Sequence, residues 1–179
     1  MYINEKIFTL APEYEISDSE KAVYSVLREL GIDFERAEHD KADTIDDCLA
    51  VEKVLGVSIC KNLFLCNRQK TKFYLLLMPG DKPFKTKDLS SQINSARLSF
   101  ADSGAMEKYL GVTPGSVSVL GLIFDKENDV TLLIDSDLLN NEFIGCHPCK
   151  NTATLKIKTE DILSKFLPYV KHEYTTVKL

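Results

Sequence analysis

Apolar and polar residues follow two different periods along this chain of 179 residues. Apolar residues that recur every three or four positions predict amphipathic helices, whereas short apolar or alternating runs predict strands. The helical period is present at residues 17–31, 44–56, 86–94, 103–110 and 159–167. The strand pattern is present at residues 33–39, 61–66, 73–78, 97–101, 120–124, 130–135, 143–146 and 152–158. The interleaved order predicts one α/β domain in which helices pack on a mixed β-sheet of about six or seven strands.

Polar residues mark where several of these elements begin and end. Ser17 and Glu20 have the spacing of a capping box, and Thr44 is a suitable N-cap for the second helix. Pro168 is expected to end or kink the last helix, because proline has no N–H to donate. Two hairpins are predicted across short polar turns, 61–66 with 73–78 and 120–124 with 130–135.

The same pattern divides the chain into three segments. Residues 1–16 have no clear period and predict a loosely held N-terminal segment, residues 17–170 form the predicted domain, and residues 171–179 remain as a C-terminal tail. No internal repeat, low-complexity tract or linker rich in proline, glycine and serine interrupts the domain. The length is also that of a single domain.

The composition excludes some classes of protein. No apolar run approaches the roughly 18 residues that a transmembrane helix needs, and no signal-peptide pattern is visible at the N-terminus. We therefore expect a cytoplasmic protein that does not enter a membrane and keeps its five cysteines reduced. The net charge of −5 argues against a general nucleic-acid coat, but residues 61–100 carry eight bases against two acids. This basic zone predicts a few phosphate contacts, and a solvated surface without a partner is the alternative.

The segment 111–122 connects the fourth predicted helix to the next apolar run. In it, Pro114 fixes its own φ and Gly115 can take φ > 0, so the pair predicts a tight turn. Ser116 and Val117 follow in a run of small residues that can leave backbone N–H groups without a partner. A concave set of free N–H groups binds a phosphate, a carboxylate or a developing oxyanion. A plain connection between helix and strand is the alternative.

Two further side chains are candidates for chemistry. Lys61 lies at the start of an apolar strand without charged neighbours, where its ammonium group either holds a phosphate or extends to solvent. His147 lies between two predicted strands, with the amide of Asn151 and the hydroxyl of Thr152 nearby in the sequence. It can orient a substrate, act as a general base or bond only to the backbone.

Cys146 and Cys149 form a C-x-x-C pair, which is compatible with a metal site or a redox pair. A structural zinc needs four ligands, and no second pair with a suitable spacing is present. A thioredoxin-like pair needs a helix after the first cysteine, whereas a strand pattern follows here. We therefore expect two small apolar thiols, no metal and no cofactor. The sequence also lacks the common hydrolase and nucleotide-binding motifs, and no nucleophile has a recognisable activating partner.

Three short motifs, taken together, resemble those of a known family. They are Lys61-Asn62-Leu63-Phe64-Leu65, then Gly111-Val-Thr-Pro-Gly-Ser-Val-Ser118, then His147-Pro148 followed by Asn151-Thr-Ala-Thr154. Their order and separation are similar to those of the YbaK/ProX superfamily, the free-standing relatives of the editing domain inserted in bacterial prolyl-tRNA synthetases. The similarity extends from about Ser17 to Val170. It is strongest to the branch that deacylates alanyl-tRNA(Pro).

The resemblance implies a mixed-sheet α/β fold and hydrolysis of an aminoacyl ester. In the family, a lysine at the position of Lys61 contacts the phosphate of the terminal adenosine, and a glycine-rich loop, here Gly115 to Val119, holds the aminoacyl end. The 2′-hydroxyl of the terminal ribose assists the attacking water, so no protein nucleophile is needed. Val119 departs from the family, which usually has proline there. We therefore predict Lys61, Gly115 and His147 as the catalytic set and Thr44, Ser116, Val117, Asn151 and Thr152 as substrate-binding residues.

The leading hypothesis is a deacylase that hydrolyses alanyl-tRNA(Pro) in trans and so serves translation fidelity. Its predicted partner is the acceptor end of aminoacyl-tRNA, with prolyl-tRNA synthetase as a second candidate. Three alternatives stay open: a deacylase for another small aminoacyl-tRNA such as cysteinyl-tRNA(Pro), a non-catalytic module that binds aminoacyl-tRNA or a synthetase, and a thiol or metal protein. A monomer and a homodimer are both compatible with the sequence.

Overall fold

The computed structural model describes residues 1–42 and 44–179, and the strands in it form two β-sheets. The strands are β1 (Phe34–Glu38), β2 (Lys61–Asn67), β3 (Phe73–Met78), β4 (Leu98–Phe100), β5 (Val130–Asp135), β6 (Phe143–Cys146), β7 (Ala153–Lys158) and β8 (Tyr174–Val177). The smaller sheet is antiparallel with the order β1-β7-β6, and the larger has the order β4-β2-β3-β5-β8. The larger sheet is mixed, because β5 runs parallel to both β3 and β8. The predicted α/β class is confirmed, with the strands divided between two sheets.

The described residues form six α-helices, and the first two of these begin where the capping pattern predicts. They are α1 (Asp18–Glu29), α2 (Ile45–Leu55), α3 (Thr86–Gln92), α4 (Ser103–Leu110), α5 (Thr159–Asp161) and α6 (Leu167–Tyr169). Ser17 and Thr44 each form a capping box at the start of α1 and α2. A π-helical turn at Ile162–Phe166 joins α5 to α6, directly before the region where Pro168 cannot donate a backbone hydrogen bond. None of the helices that the structure describes has the length and apolarity to span a membrane.

The predicted strand at 120–124 is wrong, and so is its hairpin with 130–135. Val119–Phe124 forms a 3₁₀-helix, and the Ser118 hydroxyl at its start accepts a hydrogen bond from the N–H of Leu120 at 3.2 Å. Periodicity alone cannot distinguish a buried helical run from a buried strand. The 3₁₀-helix packs so closely on the end of α4 that a Cβ at Gly121 would lie 2.8 Å from the carbonyl oxygen of Leu110.

Both terminal segments contribute to the sheets, contrary to the sequence pattern. Ile3 and Phe8 form antiparallel bridges with His39 and Arg36, so the N-terminal segment lies along β1. The predicted C-terminal tail contains β8, which is an edge strand of the larger sheet. These pairings join residues that are far apart in the sequence. The hydrophobic pattern within residues 1–16 or within residues 171–179 therefore does not reveal them.

The two sheets meet where β2 begins and β6 ends. Ile59 and Gly145 form a parallel bridge, and the N–H of Cys60 donates to the carbonyl of Gly145 at 3.0 Å. A Cβ on Gly145 would lie 3.1 Å from the Cα of Ile59, so glycine permits this close approach. The bridge brings the segment that begins with Lys61 beside the segment that ends with His147.

Candidate functional site

A cavity of about 1150 Å³ lies at this junction of the two sheets. Its walls come from α2, the start of β2, the turn after β3, the loop after α4 and the end of β6. Five of the eight predicted site residues line the cavity: Lys61, Gly115, His147, Thr44 and Val117. The other three are not among its lining residues: Ser116, Asn151 and Thr152. The three groups predicted as catalytic therefore share one cavity.

The ammonium group of Lys61 is held without being neutralised. Its Nζ donates to the carbonyl oxygen of Lys82 at 2.5 Å, and it has no carboxylate partner among the described residues. Lys82, in contrast, lies 2.8 Å from Asp135 and 2.7 Å from Asp137. An ammonium has three donors, so Lys61 keeps two N–H groups and an uncompensated charge for an anion. This is the chemistry that a phosphate-binding lysine requires.

The loop after α4 is a turn that leaves backbone donors free. The N–H of Ser116 donates to the carbonyl of Thr113 at 3.0 Å, and Gly115 has a φ of +86°. This is the predicted turn with glycine in the left-handed position. The N–H groups of Gly115 and Val117 have no hydrogen-bond acceptor within the described part of the chain, and both residues line the cavity. Free N–H groups at a cavity wall can bind an oxyanion.

Hydrogen bonds connect the segments that form the cavity wall, and they involve Ser116, Asn151 and Thr152. The buried hydroxyl of Ser116 accepts a hydrogen bond from the N–H of Asn151 at 3.1 Å. The Asn151 amide exchanges two hydrogen bonds of 3.2 Å with the backbone N–H and carbonyl of Ala42. The carbonyl of Thr152 accepts from the N–H of His39 at 3.0 Å. These bonds join the segment before α2 to the loops after α4 and β6, while direct contact with a substrate stays a prediction.

A hydrogen bond replaces the proline ring that the family usually has at position 119. The N–H of Val119 donates to Oδ1 of Asn62 at 2.9 Å, which a proline at this position could not do. Nδ2 of Asn62 in turn donates to the carbonyl of Cys60 at 3.1 Å. The end of the loop is therefore attached to the start of β2. Asn62 belongs to the first sequence motif, but the motif alone indicated no role for its side chain.

Burial and hydrogen bonding fix the state of His147. Its Nδ1 lies 2.9 Å from the carbonyl oxygen of Ala153, which can only accept, so Nδ1 carries the proton and Nε2 carries the lone pair. Burial lowers the pKa of His147 to about 4, against the opposing effect of that hydrogen bond. The imidazole is therefore neutral at pH 7. It offers Nε2 as a hydrogen-bond acceptor and is too weakly basic to be an efficient general base.

His39, which has no partner in the sequence pattern, lies next to His147 in the structure. The two ring centroids are 6.1 Å apart. Nδ1 of His39 lies 2.7 Å from the carbonyl of Asp40, so its Nε2 accepts from the hydroxyl of Thr154 at 2.9 Å. The same hydroxyl oxygen lies 3.4 Å from Nδ1 of His147. Thr154 thus links the two rings, and burial lowers the pKa of His39 as well.

Cys146 and Cys149 are free thiols, and both are buried. Burial raises the pKa of Cys149 to about 12 and also raises the pKa of Cys146 well above its ordinary value. Because the thiolate is both the nucleophile and the metal ligand, burial disfavours either role at neutral pH. Among the residues that the structure describes, no group of three or more His, Cys, Asp and Glu side chains is arranged to hold a metal ion.

An apolar wall forms another part of the cavity lining, and the sequence did not reveal it. Its residues come from α2, from β2 and the position just before it, and from α4: Cys48, Leu49, Cys60, Phe64 and Met106. In the sequence these residues are simply parts of separate apolar faces. Their approach to one another depends on how the helices pack on the two sheets. The wall makes the cavity suitable for a ligand with one charged end and one small apolar group.

Comparisons with known proteins match this chain to one family. Residues 39–165 match the family described as aminoacyl-tRNA editing domain. The prolyl-tRNA editing protein ProX of Acetoanaerobium sticklandii is 33% identical over 145 residues, which are 81% of this chain and 88% of that protein. Prolyl-tRNA synthetase associated domain-containing protein 1 of Danio rerio is 30% identical over 157 residues, 87% of this chain and 84% of that protein. The crystal structure of a candidate trans-editing enzyme for prolyl-tRNA synthetase has the same fold, with a TM-score of 0.67, 16% identity, and coverage of 92% of this chain and 99% of that one.

Proposed function

The chain belongs to the aminoacyl-tRNA editing domain family, and we propose that it is a trans-acting deacylase that hydrolyses mischarged alanyl-tRNA(Pro). The observation that carries the proposal is the placement of Lys61, Gly115 and His147 around one cavity. An ammonium group without a carboxylate partner in the described chain, backbone N–H groups without an acceptor there and a neutral imidazole complement the phosphate, the ester carbonyl and the polar groups of an aminoacyl-adenosine. The acceptor end of the tRNA is therefore the proposed partner, with prolyl-tRNA synthetase as a second one, and the cytoplasm is the proposed compartment.

The proposed reaction needs orientation and charge stabilisation more than a protein nucleophile. A water molecule attacks the ester carbonyl with the help of the ribose 2′-hydroxyl. The bond between the carbonyl carbon and the ribose oxygen then breaks, and that oxygen receives the proton from water, which yields free alanine and tRNA. In this proposal the N–H groups of Gly115 and Val117 donate to the oxyanion. Both residues line the cavity, and neither N–H has an acceptor in the described chain. One such donor typically contributes about 10²- to 10³-fold to the rate.

His147 acts in this proposal as a hydrogen-bond acceptor for the substrate. A group whose pKa is about 4 is almost entirely neutral at pH 7, so it cannot be a general acid there. Its Nδ1–H is engaged by the carbonyl of Ala153, which leaves Nε2 to accept a hydrogen bond from the α-ammonium group or a ribose hydroxyl. In this role the imidazole orients the substrate.

The size of alanine explains why a second site is useful. A synthetase pocket made for proline discriminates against a smaller side chain by only about 1–3 kcal/mol for each missing methylene. A separate cavity with an apolar wall can accept the methyl group of alanine and exclude larger side chains. Here that wall includes Phe64 and Met106, and Val117 lines the same cavity.

The test is release of labelled alanine from alanyl-tRNA(Pro) by the purified protein. Prolyl-tRNA(Pro), cysteinyl-tRNA(Pro) and alanyl-tRNA(Ala) serve as parallel substrates, and we expect alanyl-tRNA(Pro) to be hydrolysed fastest. Hydrolysis of all four esters at the buffer rate refutes the proposal. Faster hydrolysis of the cysteinyl ester would mean that the substrate is cysteinyl-tRNA(Pro) and not alanyl-tRNA(Pro).

A variant pair tests the role of the cavity lysine. Lys61→Ala should lower kcat/KM by about 10- to 100-fold, because a charged hydrogen bond contributes about 1.5–3 kcal/mol. Lys126→Ala is the matched control, since Lys126 is exposed and does not line the cavity. Equal rates for the two variants, with both folded by circular dichroism, would show that Lys61 does not hold the phosphate.

A further inference from the structure

Phe100 is an exposed aromatic residue at the rim of the cavity. It is the last residue of β4, which is an edge strand of the larger sheet, and 60% of its surface is accessible to solvent. It also belongs to the residues that line the cavity. Most of the Phe100 side chain is therefore open to solvent at the cavity. That position suits a flat ligand which enters or leaves the cavity.

The ring of Phe100 is supported from one side by the protein. Phe84 packs against it edge to face, with ring centroids 6.2 Å apart and ring planes at 67°. Phe84 is half-buried and packs on the core of the larger sheet. Across the ladder, Phe100 pairs with Leu65, which is fully buried. The exposed ring is therefore held on a rigid base, so ordering it on binding has a small entropic cost.

Three basic residues lie close to this aromatic pair in the sequence. Lys85 and Lys87 lie directly after Phe84 at the start of α3, and Arg97 lies directly before β4. All three are exposed, and none forms an ion pair within the described part of the chain. The N–H of Leu98 donates to the hydroxyl of Ser90 at 3.4 Å, so α3 and β4 are attached to each other. An aromatic surface with unpaired cations is the combination that binds single-stranded nucleic acid.

We propose that Phe100 is a stacking platform for an unpaired base of the tRNA 3′ end that lies outside the cavity. The proposal rests on the proposed function, which brings an aminoacylated 3′ end to this cavity. The cavity holds the terminal aminoacyl-adenosine, Phe100 stacks on a base of the single-stranded segment at its mouth, and Lys85, Lys87 and Arg97 compensate the adjoining phosphates. Stacking is tolerant of sequence, so this contact contributes affinity for the single strand without selecting the tRNA.

The test uses an uncharged acceptor-stem RNA with its 3′ single strand and the same duplex with a blunt end, measured by fluorescence anisotropy at one fixed salt concentration. We expect Phe100→Leu to weaken binding of the RNA with the overhang by about 5- to 100-fold, the range for loss of one stacked base. The affinity for the blunt duplex should not change, and Phe100→Trp should restore binding of the overhang. Tyr174→Leu is the matched control, because Tyr174 is an exposed aromatic residue on β8, the opposite edge strand of the same sheet.

Failure of this proposal can be distinguished from failure of the proposed function. If wild-type protein releases alanine from alanyl-tRNA(Pro) but Phe100→Leu binds both RNAs as tightly as wild type does, the platform is refuted and the deacylase remains. An equal loss of affinity for both RNAs also refutes it, because the effect then does not depend on the single strand. Unchanged RNA binding with weakened binding of prolyl-tRNA synthetase would overturn it in favour of a protein interface at β4.

Discussion

Replacing the imidazole of His147 should remove a defined part of the pH dependence of stability. The ordinary pKa of histidine is 6.5, and burial lowers it to about 4 in the folded protein. Below pH 6.5 the unfolded chain therefore binds a proton at this position, while the folded protein does not until the pH approaches 4. This titration therefore does not lower the free energy of unfolding above pH 6.5, but it lowers it progressively as the pH falls from 6.5 towards 4.

The magnitude follows from these two pKa values. The free energy of unfolding changes by at most about 1.4 kcal/mol per pH unit for one group. Integrated from pH 7 to pH 5, the contribution of His147 amounts to a loss of about 2 kcal/mol. In urea denaturation with a typical slope of about 2 kcal/mol per molar, this corresponds to a midpoint that moves by about 1 M.

The assay compares wild-type protein with His147→Gln by urea denaturation at pH 7, 6 and 5. Carboxylates such as Glu38, whose pKa is lowered, titrate in both proteins and cancel in the difference. The variant should therefore lose about 2 kcal/mol less than wild type between pH 7 and pH 5. His39→Gln is the matched comparison, because burial lowers the pKa of His39 too. Parallel pH curves for wild type and His147→Gln would refute the reasoning, because they would mean that His147 has the same pKa in the folded and unfolded chain.

Three further outcomes are expected. Val119→Pro loses the N–H that donates to Asn62, but the proline ring also restricts the unfolded chain. The free energy of unfolding in urea should therefore change by less than about 1 kcal/mol. A decrease of several kcal/mol would contradict this. Lys82→Met leaves the fully buried carboxylate of Asp135 uncompensated, so thermal unfolding should report a loss of about 3–5 kcal/mol, and a stability close to wild type would count against the ion pair. Asn151→Ala should lower the free energy of unfolding by about 2 kcal/mol and slow alanine release, because the Asn151 side chain joins two segments of the cavity wall. An unchanged rate of alanine release would show that this link does not position the loop.

Features that depend on neighbours in the chain were predictable. The capping boxes at Ser17 and Thr44 are interactions between residues three positions apart. The turn at Gly115 and the helix end at Gly111 need only a positive φ at a glycine, and both glycines have one. The 3₁₀-helix at Val119–Phe124 was missed because its residues form a short apolar run like that of a buried strand, and its close packing on α4 is not a local property.

The helices, most strands and the identity of the chemical groups follow from local sequence, because caps, turns and periods act over a few residues. Two properties of the site depend on the folded chain instead: Lys61 has no carboxylate partner among the described residues, and His147 is neutral. Both follow from what other segments bring to the cavity. The bond between Asn62 and Val119 spans 57 positions, and the bridge between Ile59 and Gly145 joins two sheets. Charge compensation and burial are sums over such distant contacts, so they come into existence only when the chain has folded.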